Sequence, residues 1–361
     1  MTNTYKYIFP AIRGIQAGRE YYVAMCPLKL IPSIFRFDDE ELSPEFRAQR
    51  TLNRARVPEI ARYMTNNPND YVFSAITASI DGEVKFSPIA DSSDRTLNGI
   101  LEVNMDAQFI INDGQHRRAA IEMAIKNEPR LGDESIAVVF FVDRGLERSQ
   151  QMFADLNRHA IRPSKSLGLL YDHRVDMAQI AKLTGLKSRA FVNLVEMERS
   201  ALSERSRKLF TLSGIHSACQ ALLDSSQVKD IQSASEICIS FWDEVAKYIP
   251  DWENVRKGRL SSCEVRKDMI HPHAIVLQAF GNAGCQLMAE QPEAWKDALK
   301  KLVDIDWSRS NAKVWERRTL VHGRVTKTST HLILTTNYIK QTLGLSLSPD
   351  EKREEDAYKR G

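Results

Sequence analysis

The chain is poor in cysteine, and none of it sits at a spacing that makes chemistry. Cys26, Cys219, Cys238, Cys263 and Cys285 are an odd five with no CxxC pair among them. That excludes a zinc ribbon, makes a disulfide framework unexpected and fits reduced thiols in a cytoplasmic protein. No apolar run approaches the length of a membrane span. The first ten residues lack a basic region followed by an apolar stretch, so no leader is expected. The Gly-x-Ser-x-Gly elbow, the Walker loop and the dinucleotide Gly-x-Gly-x-x-Gly are missing as well, which removes the familiar hydrolase and ATPase machineries. His271-Pro272-His273 has no carboxylate or cysteine partner at ligand spacing, so no metal is expected there. Net charge is scarce too. Fifty lysines and arginines against 47 acidic residues leave +3, so any nucleic-acid binding must come from a local patch.

What is present is an ordinary soluble composition, and 361 residues suffice for one large domain or two. Tyr21 to Cys26 reads as a strand. Val57, Ile60, Ala61 and Met64 repeat at helical spacing and predict a helix over Pro58 to Asn66. A further helix is expected from Ser43, capped by it and opened by Pro44. Arg47, Arg50, Arg54, Arg56 and Arg62 stud this region and read as a solvated face. Tyr71 to Ile80 and Glu83 to Phe86 flank Asp81-Gly82, a hairpin signal. Ile100 to Val103, Gln108 to Ile111 and Ile136 to Val142 read as strands, Gln115 to Lys126 and Leu146 to Arg158 as helices. After residue 160 strand signals become sparse. The expectation is an α+β chain, with an α/β domain over 1–160 and a mostly helical one over 161–361. The charged tail from Ser348 to Gly361 is expected to fray.

The chemistry gathers at Asp113-Gly114-Gln115-His116-Arg117. This run follows the apolar Phe109-Ile110-Ile111 and opens a helix. A strand that turns through glycine into a helix presents free backbone N–H groups and the positive end of the helix dipole, a seat for phosphate. Asp113 is the expected N-cap, Gly114 permits the tight turn, and Gln115, His116 and Arg117 supply donors where an anion would sit. Asn157-Arg158-His159, at a helix end, is either a C-terminal cap or a second half of the same phosphate site. Residues 176–196 fit a helix-turn-helix frame whose second helix would present Lys187, Ser188, Arg189 and Asn193 to DNA, or else a plain helical hairpin. Arg207-Lys208 and Arg317-Arg318, each with an aromatic neighbour, are candidate phosphate-tracking groups, or solvated faces, the commoner explanation.

These motifs resemble the DndB family. The resemblance rests on the Asp113–Arg117 run, Asn53-Arg54-Ala55-Arg56-Val57-Pro58, Asp81-Gly82, Leu156-Asn157-Arg158-His159-Ala160, Ser206-Arg207-Lys208-Leu209-Phe210 and the segment from Gly323-Arg324-Val325 to Asn337-Tyr338. It covers nearly the whole chain. It implies a bacterial protein encoded with the machinery that replaces a DNA phosphate oxygen by sulfur. The expected function is a DNA-binding repressor of the phosphorothioation genes, with the promoter duplex as partner. Other sulfur-modification proteins, or a second copy of the chain, are further candidate partners. The resemblance also implies a ParB/sulfiredoxin-like first half. There the same turn could instead serve an ATPase or nuclease, with His116 as acid–base, Arg117 on the phosphate, Asp113 and Gln115 beside them, and ATP as the one candidate cofactor. Sulfiredoxins carry a cysteine where Gln115 stands, so sulfur-reductase chemistry is not implied. Triphosphate-binding ParB proteins carry an arginine in place of His116, which argues against tight triphosphate binding. Cys26 matches a cysteine characteristic of the family and is a candidate DNA contact or redox sensor, or else a small buried apolar residue, the more usual fate of a free cysteine.

Overall fold

The computed structural model describes residues 5–35, 53–89, 97–142, 151–152, 154–156, 163–223 and 230–360. The chain is α+β and divides into two compact units, 1–161 and 162–361. The expected helix from Ser43 lies outside the described residues. Of the helix expected over Leu146 to Arg158, positions 151–152 and 154–156 are helical.

The first unit is built on a seven-stranded sheet. Its strands are β1 (Lys6–Gln16), β2 (Arg19–Pro27), β3 (Ile76–Asp81), β4 (Val84–Pro88), β5 (Asn98–Asn104), β6 (Gln108–Asp113) and β7 (Ser135–Val142), in the order β4-β5-β1-β2-β7-β3-β6. Neighbours are antiparallel except β3 and β7. Side chains alternate across the pleat, so Phe9, Ala11, Ala24, Cys26, Leu101, Val138 and Phe140 line one buried face. That face shares one core with Val57, Ala61 and Met64 of α1 (Val57–Asn66) and with Ala120, Ile121 and Ala124 of α2 (Gln115–Asn127). Both helices bury a stripe at the spacing the sequence shows.

The hairpin expected at Asp81-Gly82 does not form. β3 pairs with β6 and β7, while β4 pairs with β5. Asp81-Gly82 is therefore a bend in one arm of a long hairpin, and residues 105–107 bend the opposing arm. The bends touch, since a Cβ on Gly82 would come within 2.4 Å of the Ala107 Cβ. Glycine at this position serves close approach of two chains, not reversal.

The second unit is mostly helical. Its main helices are α3 (Asp176–Lys187), α4 (Leu212–Leu222), α5 (Ile231–Lys247), α6 (Pro250–Arg256), α7 (Ser262–Asp268), α8 (Ala274–Glu290), α9 (Ser329–Leu343) and α10 (Pro349–Arg360). Phe191, Phe210, Phe241, Trp242, Trp252, Phe280 and Trp315 form its aromatic centre. The tail expected to fray is helix α10, held by Glu355, which is buried and bonded to Arg318 at 2.8 and 3.0 Å. No described helix is long and apolar enough to cross a membrane.

Only the first helix of the expected helix-turn-helix frame is present. α3 runs through Gly185 to Lys187, residues 189–194 are turns, and Val195–Glu196 is a short strand. Asp243 stops the helix. Its carboxylate accepts from the Ser188 hydroxyl at 2.7 Å and from the Arg189 N–H at 2.6 Å. Phe191 is drawn into the core against Phe210 and Trp242, and Asn193 takes a left-handed backbone (φ 66°) that no helix interior accommodates.

Candidate functional site

β6 ends at Asp113, and Gly114 is the N-cap of α2. Gly114 has φ 113°, a conformation side chains rarely adopt, and a Cβ there would meet Ile76 Cγ1 at 3.0 Å and the Arg117 guanidinium at 3.1 Å. The residue is glycine because strand, turn and helix converge on it. Among the described residues no side chain caps α2. The expected cap, Asp113, is the last strand residue, and its carboxylate turns to Arg117 Nη2 at 2.6 Å. Arg117 Nη1 donates to the hydroxyl of Ser74 and to its carbonyl. Arg117 thus lies back over the glycine and clamps the turn, rather than projecting outward as a phosphate fork.

Its neighbours divide between structure and surface. Gln115 is buried, and its Nε2 has no hydrogen-bond partner among the described residues. One turn-flanking residue on the sheet, Asn112, is also buried, and its Oδ1 likewise has none. Arg118 is buried and bolts the segment before α1 to α2, donating from Nε to Phe35 O at 2.8 Å and from Nη2 to Pro32 O at 3.0 Å. His116 Nε2 accepts from the Asn53 N–H at 3.2 Å, so in the neutral ring Nδ1 carries the proton. Asn53 Oδ1 in turn accepts from Ala55 N–H and caps the turn Arg54–Arg56 that leads into α1. The His116 contact therefore ties the turn Arg54–Arg56, whose two arginines are exposed, to a residue in the first turn of α2. Both arginines lie on a solvated face, as their pattern in the sequence implies. The turn that carries them is tied to His116, a residue 63 positions from Asn53.

The remaining candidates separate. Asn157, Arg158 and His159 lie outside the described residues. Cys26 is fully buried, and burial pushes its thiol up to about 12. Buried so, it is the small apolar core residue rather than the DNA contact or the redox-sensing thiol. Lys187, Arg189 and Arg207 are exposed, the first two without the recognition helix they were expected to share. Lys208 is half-buried and donates to Asn193 O at 2.9 Å. Arg317 is exposed over the Tyr358 ring. Arg318 is a core residue, sealed by Glu355 beneath Tyr338 and Tyr358, and its aromatic neighbour Trp315 is also fully buried. Neither can track a phosphate backbone.

The fold and this turn together define an α+β protein carrying a glycine-led helix start with no side-chain cap. A family model described as DndB, DNA-sulfur modification-associated, matches residues 9–346, nearly the whole chain. The chain belongs to the DndB family, and its place is with the DNA sulfur-modification system. No curated protein and no solved structure matches it.

Proposed function

We propose that this chain is a DNA-binding transcriptional regulator that represses the sulfur-modification genes by binding duplex DNA at their promoter. The observation that carries the reading is the juxtaposition of the α2 start with Arg54 and Arg56, tied to it through the Asn53–His116 contact. A DNA phosphate at that helix start would meet backbone N–H groups, the positive end of a 13-residue helix and adjacent guanidinium groups. Arg117 and Asp113 hold the turn in shape for it. Family membership supports a role in the sulfur-modification system, and a ParB/sulfiredoxin-like first unit acting in the cytoplasm is part of the same reading.

Gel-shift titrations of the promoter and of an unrelated duplex across a salt series test it. Affinity for the promoter should exceed that for the unrelated duplex and fall steeply with salt. Arg56→Ala should reduce the slope of log K against log salt by about 1, the signature of one lost phosphate contact. Equal affinity for both duplexes would reject the regulator. ATP turnover or plasmid nicking by the purified chain, lost in His116→Ala, would make the turn catalytic instead.

A further inference from the structure

Three separate stretches of the second unit meet on one surface. They are residues 187–193, at the end of α3, residues 205–208, and residues 256–259, at the end of α6. Hydrogen bonds tie the first to the other two. Lys208 Nζ donates to Asn193 O at 2.9 Å, and Arg256 Nη1 donates to Arg189 O. The other two share a cleft of about 460 Å³, lined by Arg205, Ser206 and Arg207 from the one and by Gly258 from the other.

The three stretches hold eight lysines and arginines and no acidic residue. Three carboxylates lie against them. Asp243 accepts from the Arg189 N–H, Glu253 pairs with Arg256 and, at 2.9 Å, with Lys257, and Glu204 lines the cleft. These three reduce the eight cations to a surplus of five, while the whole chain carries +3, so the remaining residues are net negative. Lys187, Arg189, Arg205, Arg207 and Arg259 are exposed and have no ion pair among the described residues. Unpaired like charges gathered at a cleft raise the local potential and attract a polyanion.

The surface is also held in shape. Arg266 Nη2 donates to the carbonyls of Ser203 (2.9 Å), Glu204 (3.1 Å) and Ser206 (3.2 Å), and the Ser262 hydroxyl donates to Ser206 O at 2.7 Å. Those carbonyls are turned to the protein, and Arg205 and Arg207 project to solvent from a pinned backbone. Cations fixed in this way lose less freedom on binding. Protein interfaces deplete charge at their centre, whereas interfaces with nucleic acid are strongly positive. Residues 189–194 are turns, not a helix that could enter a groove, so the contacts on offer are to phosphates, which position a duplex without reading it.

We infer that this surface is a second DNA contact, one that grips the phosphate backbone of a duplex irrespective of sequence. It rests on the DNA-binding reading for its partner, but its site is independent of the α2 start. The test is the slope of log K against log salt for the full chain on the promoter and on an unrelated duplex. Arg205→Ala with Arg207→Ala should lower the slope by about 2 on both duplexes and leave their affinity ratio unchanged. Arg205→Lys with Arg207→Lys keeps the charge and should keep the slope. Arg259→Ala, on a different stretch, should lower it by about 1, which keeps the test decisive if the first variant fails to fold. Lys352→Ala with Lys359→Ala removes two exposed cations of α10 and should leave the slope as it was. An unchanged slope in the Arg205/Arg207 and Arg259 alanine variants, an equal loss in the α10 variant, or competition by polyglutamate as strong as that by unrelated duplex at equal charge would each overturn the inference. Equal affinity for the two duplexes would remove the repressor and leave this surface standing.

Discussion

Replacing Glu355 by glutamine tests whether Arg318 is a structural cation or a surface one. Glu355 and Arg318 are 2% and 4% exposed, and their two hydrogen bonds of 2.8 and 3.0 Å close a bidentate pair. Glu355→Gln keeps the shape and removes the counter-charge, leaving a guanidinium buried beneath the Tyr358 ring at 4.4 Å and the Tyr338 ring at 5.3 Å. Breaking a buried pair by removing one partner costs about 3–5 kcal/mol. The two aromatic faces and the bond from Nη1 to Leu334 O are present with either residue and cancel, while the glutamine amide oxygen can still accept one bond, which puts the loss at the lower end of that range. The expected loss is therefore about 3 kcal/mol, read as a shift of the urea midpoint at unchanged slope. A loss below about 1 kcal/mol, the value of an exposed pair, would refute the reasoning. The double variant Arg318→Met with Glu355→Met should recover part of the loss, because no charge is then left unpaired. Acid supplies a second arm. Burial pushes the Glu355 carboxyl up, but the hydrogen bonds and charge of Arg318 more than offset it, so the group lies below its ordinary value. Its stabilisation is present above about pH 4.3, the unfolded carboxylate's value, and is lost as pH falls through the lower folded one. In DNA-binding assays the salt slope of folded Arg318→Met should match that of the unsubstituted chain.

Gly114→Ala forces a side chain onto φ 113° and against Ile76, and should cost the first unit about 2 kcal/mol or more in chemical denaturation. Gly18→Ala, at φ 73° with open space around it, should cost about 1 kcal/mol, and equal losses would remove the packing argument. Burial holds His273 down to about 4, so between about pH 6.5 and 4 the unfolded chain binds the proton that the folded chain refuses. Stability should fall through that window by up to about 3 kcal/mol, with buried His271 acting in the same direction, and His273→Asn should flatten the urea-midpoint profile. Iodoacetamide on the native chain should modify Cys263 and spare the buried Cys26, Cys219 and Cys238 until denaturant is added, as peptide mass mapping would show.

Much of the architecture is written locally. The apolar stripe of Val57, Ala61 and Met64 makes α1 wherever the chain goes, and the β-branched run at Ile136 to Val142 makes a strand by the same logic. The glycine between β6 and α2 marks its turn because few other residues reach that backbone conformation. Periodicity and backbone preference depend on neighbours in the chain, so sequence by itself determined the α+β character, the helix start at Gly114 and the family signature that runs from one end of the match to the other.

Pairing and burial depend on neighbours in space, and those only the tertiary structure decided. Asp81-Gly82 carries every local mark of a hairpin and is a bend, because β3 is claimed on both sides by β6 and β7. The frame after α3 has the right residue types for a recognition helix, yet Asp243, 55 positions on, accepts from Ser188 and ends it. Arg317 and Arg318 are adjacent in sequence, one in solvent and the other sealed by Glu355, since only one can face the core. Arg54 and Arg56 become part of the candidate site through a single hydrogen bond from Asn53 to His116. In each case the deciding partner is distant in the chain, and local preference of a fraction of a kcal/mol per residue yields to the several kcal/mol of burying or pairing a group.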